Sequence, residues 1–494
     1  MNRPYYDRKP ELIMGPNPFI EVLSDFVQIN DWPRLLSINP LDGRDWRAIS
    51  PASREALFSF RTNHFVADRT VVDPAADLQK ILRRSCVMRN PLDHKERRRF
   101  HQVSLSESIK EILSFSCLEG GGGCWAGITG TKKTRTILRI LEVLVPEQVV
   151  VHDRSAAAGW THLRQLVYLK IDFTSNGSRG GLLLRILYGI DVVLGTDYSD
   201  AHRKSNLDVL LVAVCKLLCL HQVMLLVIDE HQQKNYEISP WKIEFILFYL
   251  SLMNCGISVI LLGNPLAFEN LKTFSQVQRR FSMAGPWTFR PADSADTDWW
   301  KEDWVPGQRE FSLVETCSIP EDVRNELDFN LTGGLPGMTP LLTDAAQENA
   351  LRRATGSSAD LALEDYTAAV ASQKFQDQKK IAIAVRGGDH EFSDIPPTEI
   401  HMEVGIPKGT STGPVVVTDK ETVAAVKRLV AAHKQKTTAI TNKLVNDLKS
   451  ISDLEPHDLR LLGLSADLAA ESKKLMEKIR ATGEKSSGRP KVAV

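Results

Sequence analysis

The sequence predicts an α/β fold in which helices cover both faces of a parallel sheet. Three short apolar runs, 165–173, 224–230 and 257–264, are rich in strand-forming residues. Strands that are apolar on both faces are typical of a parallel sheet buried between helices. Helical segments separate the three runs, so the order of elements indicates an αβα sandwich.

The chain is long enough for several structural units. It has 494 residues, of which 43% are hydrophobic and 25% are charged, as in an ordinary globular protein. We predict four parts in order. They are an N-terminal extension with a basic patch over 1–105, an α/β core over 106–285, a helical lid over 286–375, and a linker with a mobile C-terminal tail over 376–494.

Charge and cysteine content argue against several classes of protein. Basic and acidic side chains both number 61, so binding to nucleic acid would depend on local patches. The seven cysteines include no CxxC pair, which argues against a disulfide scaffold or a zinc finger. The charged N-terminus does not resemble a signal peptide, and the apolar stretches 209–228 and 245–263 are interrupted, so we expect a cytoplasmic protein without membrane spans.

A glycine-rich loop before a helical run carries the strongest chemical signal. Residues 127–134 read GITGTKKT and resemble a P-loop, G-x-x-x-x-G-K-[ST], in which backbone N–H groups wrap phosphates at a helix N-terminus. Lys133 would contact the β- and γ-phosphates, and Thr134 would hold Mg²⁺. The candidate ATP ligands are Gly127, Ile128, Thr129, Gly130, Thr131, Lys132, Lys133, Thr134 and Arg135.

Two local features of this loop are unusual. Lys132 replaces the last glycine of the pattern, so slow hydrolysis is expected as one outcome. The strand entering the loop contains four glycines, 120–123, and glycine weakens a strand. Either a backbone neighbour approaches closely there or the strand is very short.

A carboxylate pair supports nucleotide chemistry. Asp229 and Glu230 follow a buried apolar run, as in a Walker B element. A strand end of this kind lets Asp229 hold Mg²⁺ through water and lets Glu230 polarise the attacking water.

With two further features the chain resembles an AAA+ P-loop ATPase. Asn264 ends the third apolar run and fits the sensor that places the lytic water. Arg279 and Arg280 fit an arginine finger that reaches a neighbouring subunit's nucleotide, and which of the two acts is open.

Several segments resemble one family in particular, TnsC, the transposition regulators of Tn-seven-like elements, and more broadly the TniB and MuB ATPases. They are NPFIE at 17–21, VYLKID at 167–172 with NGS at 176–178, LGTDY at 194–198, and the Walker B context at 226–230. The resemblance covers roughly residues 15–350. The chain departs from the family at Lys132, at 231–233, which read His-Gln-Gln instead of Ile-Gln-His, and in the lid turn 333–337, which has no recognisable second sensor arginine.

The resemblance implies an ATPase that uses ATP and Mg²⁺ and assembles on double-stranded DNA as a ring or helical filament. Such a homo-oligomer would connect a target selector of the TnsD/TniQ type to transposase subunits, in the bacterial cytoplasm and associated with DNA. The C-terminal tail would be a candidate contact for the transposase. Whether the selector is guided by RNA is open.

Four residues are candidates for DNA contact. Ser178 and Arg179 follow the second strand, and Arg83 and Arg84 lie in the basic stretch 78–99. Contacts of this kind would be made to phosphates and would be salt-sensitive. A charge run that only keeps a surface hydrated is the alternative.

Two other functions remain open at this point. One is a scaffold that is locked by nucleotide on DNA and hardly hydrolyses it. The other is a P-loop signalling ATPase without a DNA role.

Overall fold

The computed structural model describes residues 5–114, 118–174, 177–231, 242–268 and 275–386, together with 392 and 395. These residues belong to one unit, Met1–Gly405. Apart from 392 and 395, the chain beyond 386, including the predicted tail, lies outside the described residues, as do Asn176, Gln232 and Gln233 of the sequence comparison.

Nine strands occur in the described part of the chain, and five of them form one parallel sheet in the order β4–β5–β6–β1–β7. β2 and β3 form an antiparallel hairpin, and β8 and β9 form a short parallel pair. The strands are β1 Gly122–Gly127, β2 Val149–His152, β3 Leu163–Leu166, β4 Tyr168–Asp172, β5 Leu225–His231, β6 Ser258–Gly263, β7 Trp287–Phe289, β8 Thr316–Cys317 and β9 Asp360–Leu361. The predicted α/β fold with a parallel sheet is confirmed.

The strand predictions differ from the structure in two details. The run 165–173 is not one strand, because Leu166 ends β3 of the hairpin and Tyr168 begins β4 of the sheet. Val167 lies between them, and its carbonyl accepts hydrogen bonds from the N–H groups of Met224 and Leu225. The sheet also continues past residue 285, because β7 pairs with β1.

The longer described helices are α1 Val72–Met88, α2 His94–Leu105, α3 Lys133–Leu144, α4 Arg179–Leu194, α5 Leu207–Leu220, α6 Lys242–Asn254, α7 Ser275–Phe281, α8 Glu321–Thr332, α9 Thr339–Arg353, α10 Leu363–Ala371 and α11 Gln373–Val385. Shorter α-helices span Tyr5–Arg8, Pro18–Glu21, Trp32–Leu36, Pro51–Arg54, Ile109–Ser114, Tyr198–Ala201 and Val305–Glu310. Segments of 3₁₀ and π helix span Pro10–Met14, Ile29–Asp31, Trp46–Ala48, Glu55–Asn63, Arg69–Val71 and Trp299–Trp304. No described helix is long and apolar enough to cross a membrane.

The sheet is buried on both faces, and alternate residues of β5 show this. Leu226 and Ile228 pack in one apolar cluster with α4, α5 and α6. Leu225 and Val227 pack in a second cluster with α1, α3 and the N-terminal segments from Leu12 to Leu36. The N-terminal extension therefore covers one face of the sheet.

The glycines of β1 are explained by close neighbours and not by a short strand. β1 has six residues, all buried. A Cβ atom at Gly123 would lie 1.9 Å from the carbonyl oxygen of Ala284, and one at Gly120 would lie 2.7 Å from that of Ile257. Only glycine leaves room for such backbone approaches.

The close backbone contacts at Gly123 predict that a larger residue there lowers stability. We expect Gly123→Ala to destabilise the fold by about 1–3 kcal/mol or more, because the added methyl group overpacks a site bounded by backbone. Denaturant unfolding would measure the effect. Gly356→Ala is the matched control, since nothing lies within 4 Å of its added Cβ. Equal stability of the two variants would contradict the prediction.

The helices in the region of the predicted lid enclose an apolar cluster of their own beside the sheet. Helices α8–α11 surround buried residues that include Phe311, Leu342 and Tyr366. The helix predicted over 341–353 corresponds to α9. The turn between α8 and α9 packs on the loop after β1, where Leu335 and Met338 contact Ile128.

Candidate functional site

A cleft of about 640 Å³ lies at the carboxyl end of the sheet, beyond the ends of β1, β5 and β6. The loop after β1, the carboxylates after β5 and the residue after β6 form its floor. An N-terminal segment and the lid form its walls. The lining residues are Arg61, Thr62, His64, Phe65, Val66, Gly127, Thr129, Gly130, Lys132, Lys133, Thr134, Arg135, Asp229, Glu230, Gly263, Asn264, Trp304, Gln308, Pro336, Gly337, Pro340 and Leu341.

The loop between β1 and α3, called the phosphate loop after the prediction made from its sequence, contains two residues with positive φ. Gly130 has φ +83° and Lys132 has φ +59°, both in the left-handed region. A Cβ atom at Gly127 would lie 2.5 Å from the Thr131 hydroxyl and 2.8 Å from the Phe289 carbonyl oxygen, so glycine is required there. The loop leads directly into the N-terminus of α3, where unpaired N–H groups and the helix dipole attract anions.

Lys133 lies within the curve of this loop. Its Nζ donates hydrogen bonds to the carbonyl oxygens of Gly127, at 2.7 Å, and Ile128, at 3.0 Å. Burial lowers the pKa of Lys133 to about 8, although Asp229 and Glu230 act in the opposite direction. An anion that approaches a buried amine of this kind strongly favours its charged form.

The two predicted metal ligands are brought together. The Thr134 hydroxyl donates a hydrogen bond of 2.8 Å to Oδ2 of Asp229. Asp229 is buried, and Lys170 Nζ lies 3.4 Å from the same oxygen. No group of three or more His, Cys, Asp or Glu in the described segments could hold a metal alone. A hydroxyl and a carboxylate fit Mg²⁺ that takes its other ligands from phosphates and water.

Glu230 stands in a strained backbone position at the cleft. Its φ is +60°, its N–H donates to Oδ1 of Asp229 at 2.8 Å, and the register between β5 and β6 shifts between Ile228 and His231. A left-handed residue with a large side chain is uncommon outside functional sites. The bulge allows successive residues, Asp229 and Glu230, both to line the cleft.

Asn264 follows β6, the strand that separates β1 from β5. Its side chain is almost fully buried, and its Oδ1 accepts a hydrogen bond of 3.0 Å from the Leu266 N–H. The order of strands therefore places this amide at the cleft between the phosphate loop and the carboxylate pair.

Arg279 and Arg280 are not in the cleft of their own chain. They lie on α7, where Arg279 is exposed and its guanidinium is 3.4 Å from Oε1 of Glu119. Arg280 Nη1 donates to Asn254 Oδ1 at 2.6 Å. Glu119 precedes β1 and Asn254 precedes β6, so both arginines lie at the amino end of the sheet, opposite the cleft. Neither side chain therefore reaches the cleft of its own chain.

Arg135 forms a wall of the cleft. Its guanidinium donates hydrogen bonds to the carbonyl oxygens of Thr62 and His64 in the N-terminal segment. Burial is the main cause of the lowered pKa of Arg135.

Three arginines of the basic stretch are buried, and one of them, Arg83, is a predicted DNA contact. Arg83 pairs with Glu11 at 2.8 Å and donates to the Ser24 carbonyl oxygen at 2.5 Å. Arg89 and Arg99 are buried as well. Their charges hold the fold together by pairing with internal acceptors.

All four DNA contacts stay predictions, and the other three candidates are less buried than Arg83. Arg84 is partly exposed and donates to the carbonyl oxygen of Glu119 at 3.2 Å. Ser178 caps the N-terminus of α4, where its Oγ accepts a hydrogen bond of 3.2 Å from Gly181 N–H. Arg179 is the first residue of that helix.

Sequence reasoning missed one wall of the cleft, which is built on Arg61. The Arg61 Nε donates to both oxygens of Asp344 in α9, at 2.9 and 3.0 Å, and its guanidinium stacks 4.0 Å from the ring centre of Phe311. Its Nη1 lies 3.1 Å from Nδ1 of His64. Burial, with Arg61 nearby, lowers the pKa of His64 to about 3, so this ring is neutral.

No local pattern marks these residues, because Arg61 and Asp344 meet only through the fold. The lid contributes backbone and apolar groups to the cleft: the Gly337 N–H donates to the Gly130 carbonyl oxygen at 2.7 Å, and Pro340 and Leu341 line the opening. Within the described ranges, both arginines that line the cleft, Arg61 and Arg135, come from outside the lid.

No protein-family model and no curated protein matches the sequence. Among solved structures, the chain is similar to Cdc6p from Pyrobaculum aerophilum, with 15% identity over 53% of this chain and 63% of that chain and a TM-score of 0.32. It is similar to the Aeropyrum pernix Orc1 protein in complex with DNA, with 19% identity, coverage of 56% and 65%, and a TM-score of 0.34. It is also similar to Drosophila ORC bound to DNA, with 16% identity over 58% of this chain and 68% of that chain and a TM-score of 0.32.

The chain thus spans slightly less than two thirds of the length of the first two of these proteins. With TM-scores near 0.3, the likenesses do not establish the fold. The fold rests on the sheet order and on the loop between β1 and α3.

Proposed function

We propose that the cleft binds ATP with Mg²⁺. The observation that carries this proposal is the phosphate loop at the N-terminus of α3, with Thr134 hydrogen-bonded to Asp229 across the cleft. Loop N–H groups and Lys133 would hold the phosphates. The base would lie between Phe65 and Val66 on one wall and Leu341 on the other, where the lining is apolar.

We propose that the same site hydrolyses ATP. Glu230 polarises the attacking water, Asn264 orients it, and Lys133 stabilises negative charge on the transferred phosphoryl group. Mg²⁺, held through Thr134 and Asp229, supplies further neutralisation of the phosphate charge. The geometry that supports this is the convergence of these side chains from the ends of β1, β5 and β6.

An arginine from a second copy of the chain would complete the site. Arg279 and Arg280 lie opposite their own cleft, so either could reach only a neighbour's nucleotide. Nucleotide would then contact two subunits and stabilise the oligomer, and hydrolysis would weaken it.

At the finest level we propose a TnsC-like AAA+ regulator of DNA transposition. It would assemble on duplex DNA as a ring or filament in the bacterial cytoplasm and connect a TnsD/TniQ-type selector to transposase subunits. What supports this is the series of family-like segments, which occur in the family's order along the sequence. Ser178, Arg179 and Arg84 remain the candidate DNA contacts.

Electron microscopy of the purified protein with duplex DNA tests the assembly. We expect rings or filaments that need both DNA and a slowly hydrolysed ATP analogue, and that are absent for Lys133→Ala. Monomers under every condition would refute the assembly. Nucleotide binding without any DNA binding would favour the signalling ATPase instead.

Measured turnover separates an ATPase from a nucleotide-locked scaffold. Lys132 was the reason to expect slow hydrolysis, but its ammonium pairs with Asp68, and its φ of +59° is the left-handed conformation that glycine would adopt. We therefore favour hydrolysis. Assembly on DNA without phosphate release would support the scaffold.

The pKa of Lys133 predicts how ATP binding depends on pH. Because the charged amine binds phosphate and its pKa is about 8 before phosphate binds, affinity is fully present at pH values well below 8. Above pH 8 the affinity should fall by about tenfold per pH unit, since binding then requires uptake of a proton. Titration calorimetry between pH 7 and 9.5 in EDTA would measure the slope.

Lys133→Arg provides the comparison, because a guanidinium stays charged over this range. Its affinity should be lower at pH 7 but independent of pH. A wild-type affinity that is constant from pH 7 to 9.5 would contradict the prediction.

A further inference from the structure

We infer that Lys132 is a positioning residue that joins the phosphate loop to the N-terminal extension and to the segment 303–304, and that it is not a ligand of the nucleotide. This inference rests on the proposed nucleotide site. It concerns the residue at which the loop departs from the P-loop pattern.

The side chain of Lys132 is buried and fully engaged. It forms an ion pair with Asp68, and the side chains are only 8% and 0% exposed, respectively. Its Nζ also lies 4.4 Å from the ring centre of Trp304 and 6.0 Å from that of Phe65. A carboxylate and two aromatic rings therefore surround the ammonium, as in a cation–π site.

Asp68 is held in place by its own neighbours. Its Oδ1 accepts a hydrogen bond of 2.9 Å from the Thr70 N–H and another from the Thr70 hydroxyl. Its Oδ2 is the atom that pairs with Lys132. Thr70 thus orients the Asp68 carboxylate through Oδ1, and Oδ2 contacts Lys132 of the phosphate loop.

The residue after Asp68 extends the contact to the segment 303–304. Arg69 N–H and Nε both donate to Oδ2 of Asp303, at 2.9 and 2.8 Å. Asp303 immediately precedes Trp304, whose ring lies against Lys132. Two successive residues of the extension therefore contact the phosphate loop and the 303–304 segment at one place.

The backbone of Lys132 shows why this anchoring matters for the loop. Its φ of +59° is disfavoured for any residue with a Cβ atom, and glycine usually fills the position. Burial of the side chain against Asp68 and Trp304 stabilises the conformation that glycine would adopt freely. The form of the loop, and with it the affinity for nucleotide, then depends on Asp68.

A double-mutant cycle tests the inference. Lys132→Met, Asp68→Asn and the double variant are compared by thermal unfolding without nucleotide and by binding of fluorescent ATP and ADP analogues. Each single change leaves a buried charge unpaired, so we expect Tm to fall by about 5 °C or more, and the double variant to lose less than the sum of both.

The nucleotide measurements distinguish positioning from direct contact. Both single variants should weaken ATP and ADP alike, by about tenfold, whereas Lys132→Arg should recover most of the affinity because it keeps the ion pair. If Lys132→Met weakens ATP far more than ADP while Asp68→Asn binds both normally, Lys132 is a phosphate ligand and the inference is overturned. Strictly additive losses of Tm would overturn it too.

Lys301→Met is the control, because Lys301 pairs with Asp296 at an exposed site just before this segment and should change neither readout. If the wild-type chain binds neither analogue, the proposed function fails. In that case the double-mutant cycle measured by thermal unfolding without nucleotide still tests whether Lys132 interacts with Asp68.

Discussion

Lys133→Ala is expected to weaken ATP binding by about 100-fold or more. The lysine Nζ lies inside the phosphate loop, 2.7 Å from the Gly127 carbonyl oxygen, where the phosphates of a nucleotide would meet it. A hydrogen bond to a charged group contributes about 1.5–3 kcal/mol, and two such bonds correspond to a factor of about 100 or more in Kd. Titration calorimetry with ATP and Mg²⁺ would measure the loss.

The variant should keep its fold. Burial lowers the pKa of Lys133, so the ammonium is a cost to the unliganded protein, and its removal should not reduce Tm at pH 7. Lys380→Ala, at an exposed ion pair with Asp377 on α11, is the control and should bind ATP as the wild type does. A Lys133→Ala protein that is folded and binds ATP normally would refute the site.

Glu230→Gln is expected to reduce ATP turnover by about 10²–10⁴-fold, the range for loss of a general base. The amide has the shape of the carboxylate but cannot take a proton from water. Its left-handed backbone position at the bulge after β5 should accept glutamine as it accepts glutamate. Phosphate release in single-turnover experiments would measure the rate.

ATP binding by Glu230→Gln should be unchanged or tighter, since the carboxylate contributes no attraction to phosphate. Assemblies on DNA should then persist longer than those of the wild type, because hydrolysis would no longer weaken them. Glu142→Gln is the control, because Glu142 is an exposed residue of α3 that pairs with Arg139. This variant should show normal turnover. Normal turnover by Glu230→Gln would mean that Glu230 is not the general base.

The parts of the site that sequence could predict are those encoded by local patterns. The loop after β1, the carboxylates after β5 and the amide after β6 each stand at the end of an apolar strand, where parallel strands place functional groups. Their convergence at one cleft follows from the strand order, which places β6 between β1 and β5.

The walls of the cleft could not be predicted, because they depend on contacts between distant parts of the chain. Arg61 meets Asp344, and Lys132 meets Asp68, only after the extension has packed against one face of the sheet. The two pairs join the extension to the lid and to the phosphate loop. No local pattern in the sequence of residues 1–105 indicates either ion pair.

Charge in a sequence does not reveal burial, and the basic stretch illustrates this. Arg89 is fully buried and donates to the carbonyl oxygen of Val223 at 2.6 Å and to Oε1 of Gln222 at 2.7 Å. Arg99 forms a buried pair with Glu96. These arginines satisfy internal acceptors, which a count of positive residues cannot distinguish from a surface for DNA.

Some of the family-like segments have plain structural roles in this chain. Asn17 caps the helix Pro18–Glu21 and donates to the Cys86 carbonyl oxygen at 2.9 Å, and Phe19 stacks on Trp160 in the loop of the hairpin. Gly195 ends α4 with φ +66°. Positions of this kind serve the architecture of the chain, whatever its partners are.

The glycine-rich strand β1 also has a consequence for the order of folding. Glycine has little preference for extended structure, so β1 depends on its neighbours to become a strand. Those neighbours, β6 Ser258–Gly263 and β7 Trp287–Phe289, come much later in the chain than β1 and pair with it in parallel. The phosphate loop therefore acquires its final form only late, after the polypeptide has been made through Phe289, and partly synthesised chains would be unable to recognise nucleotide.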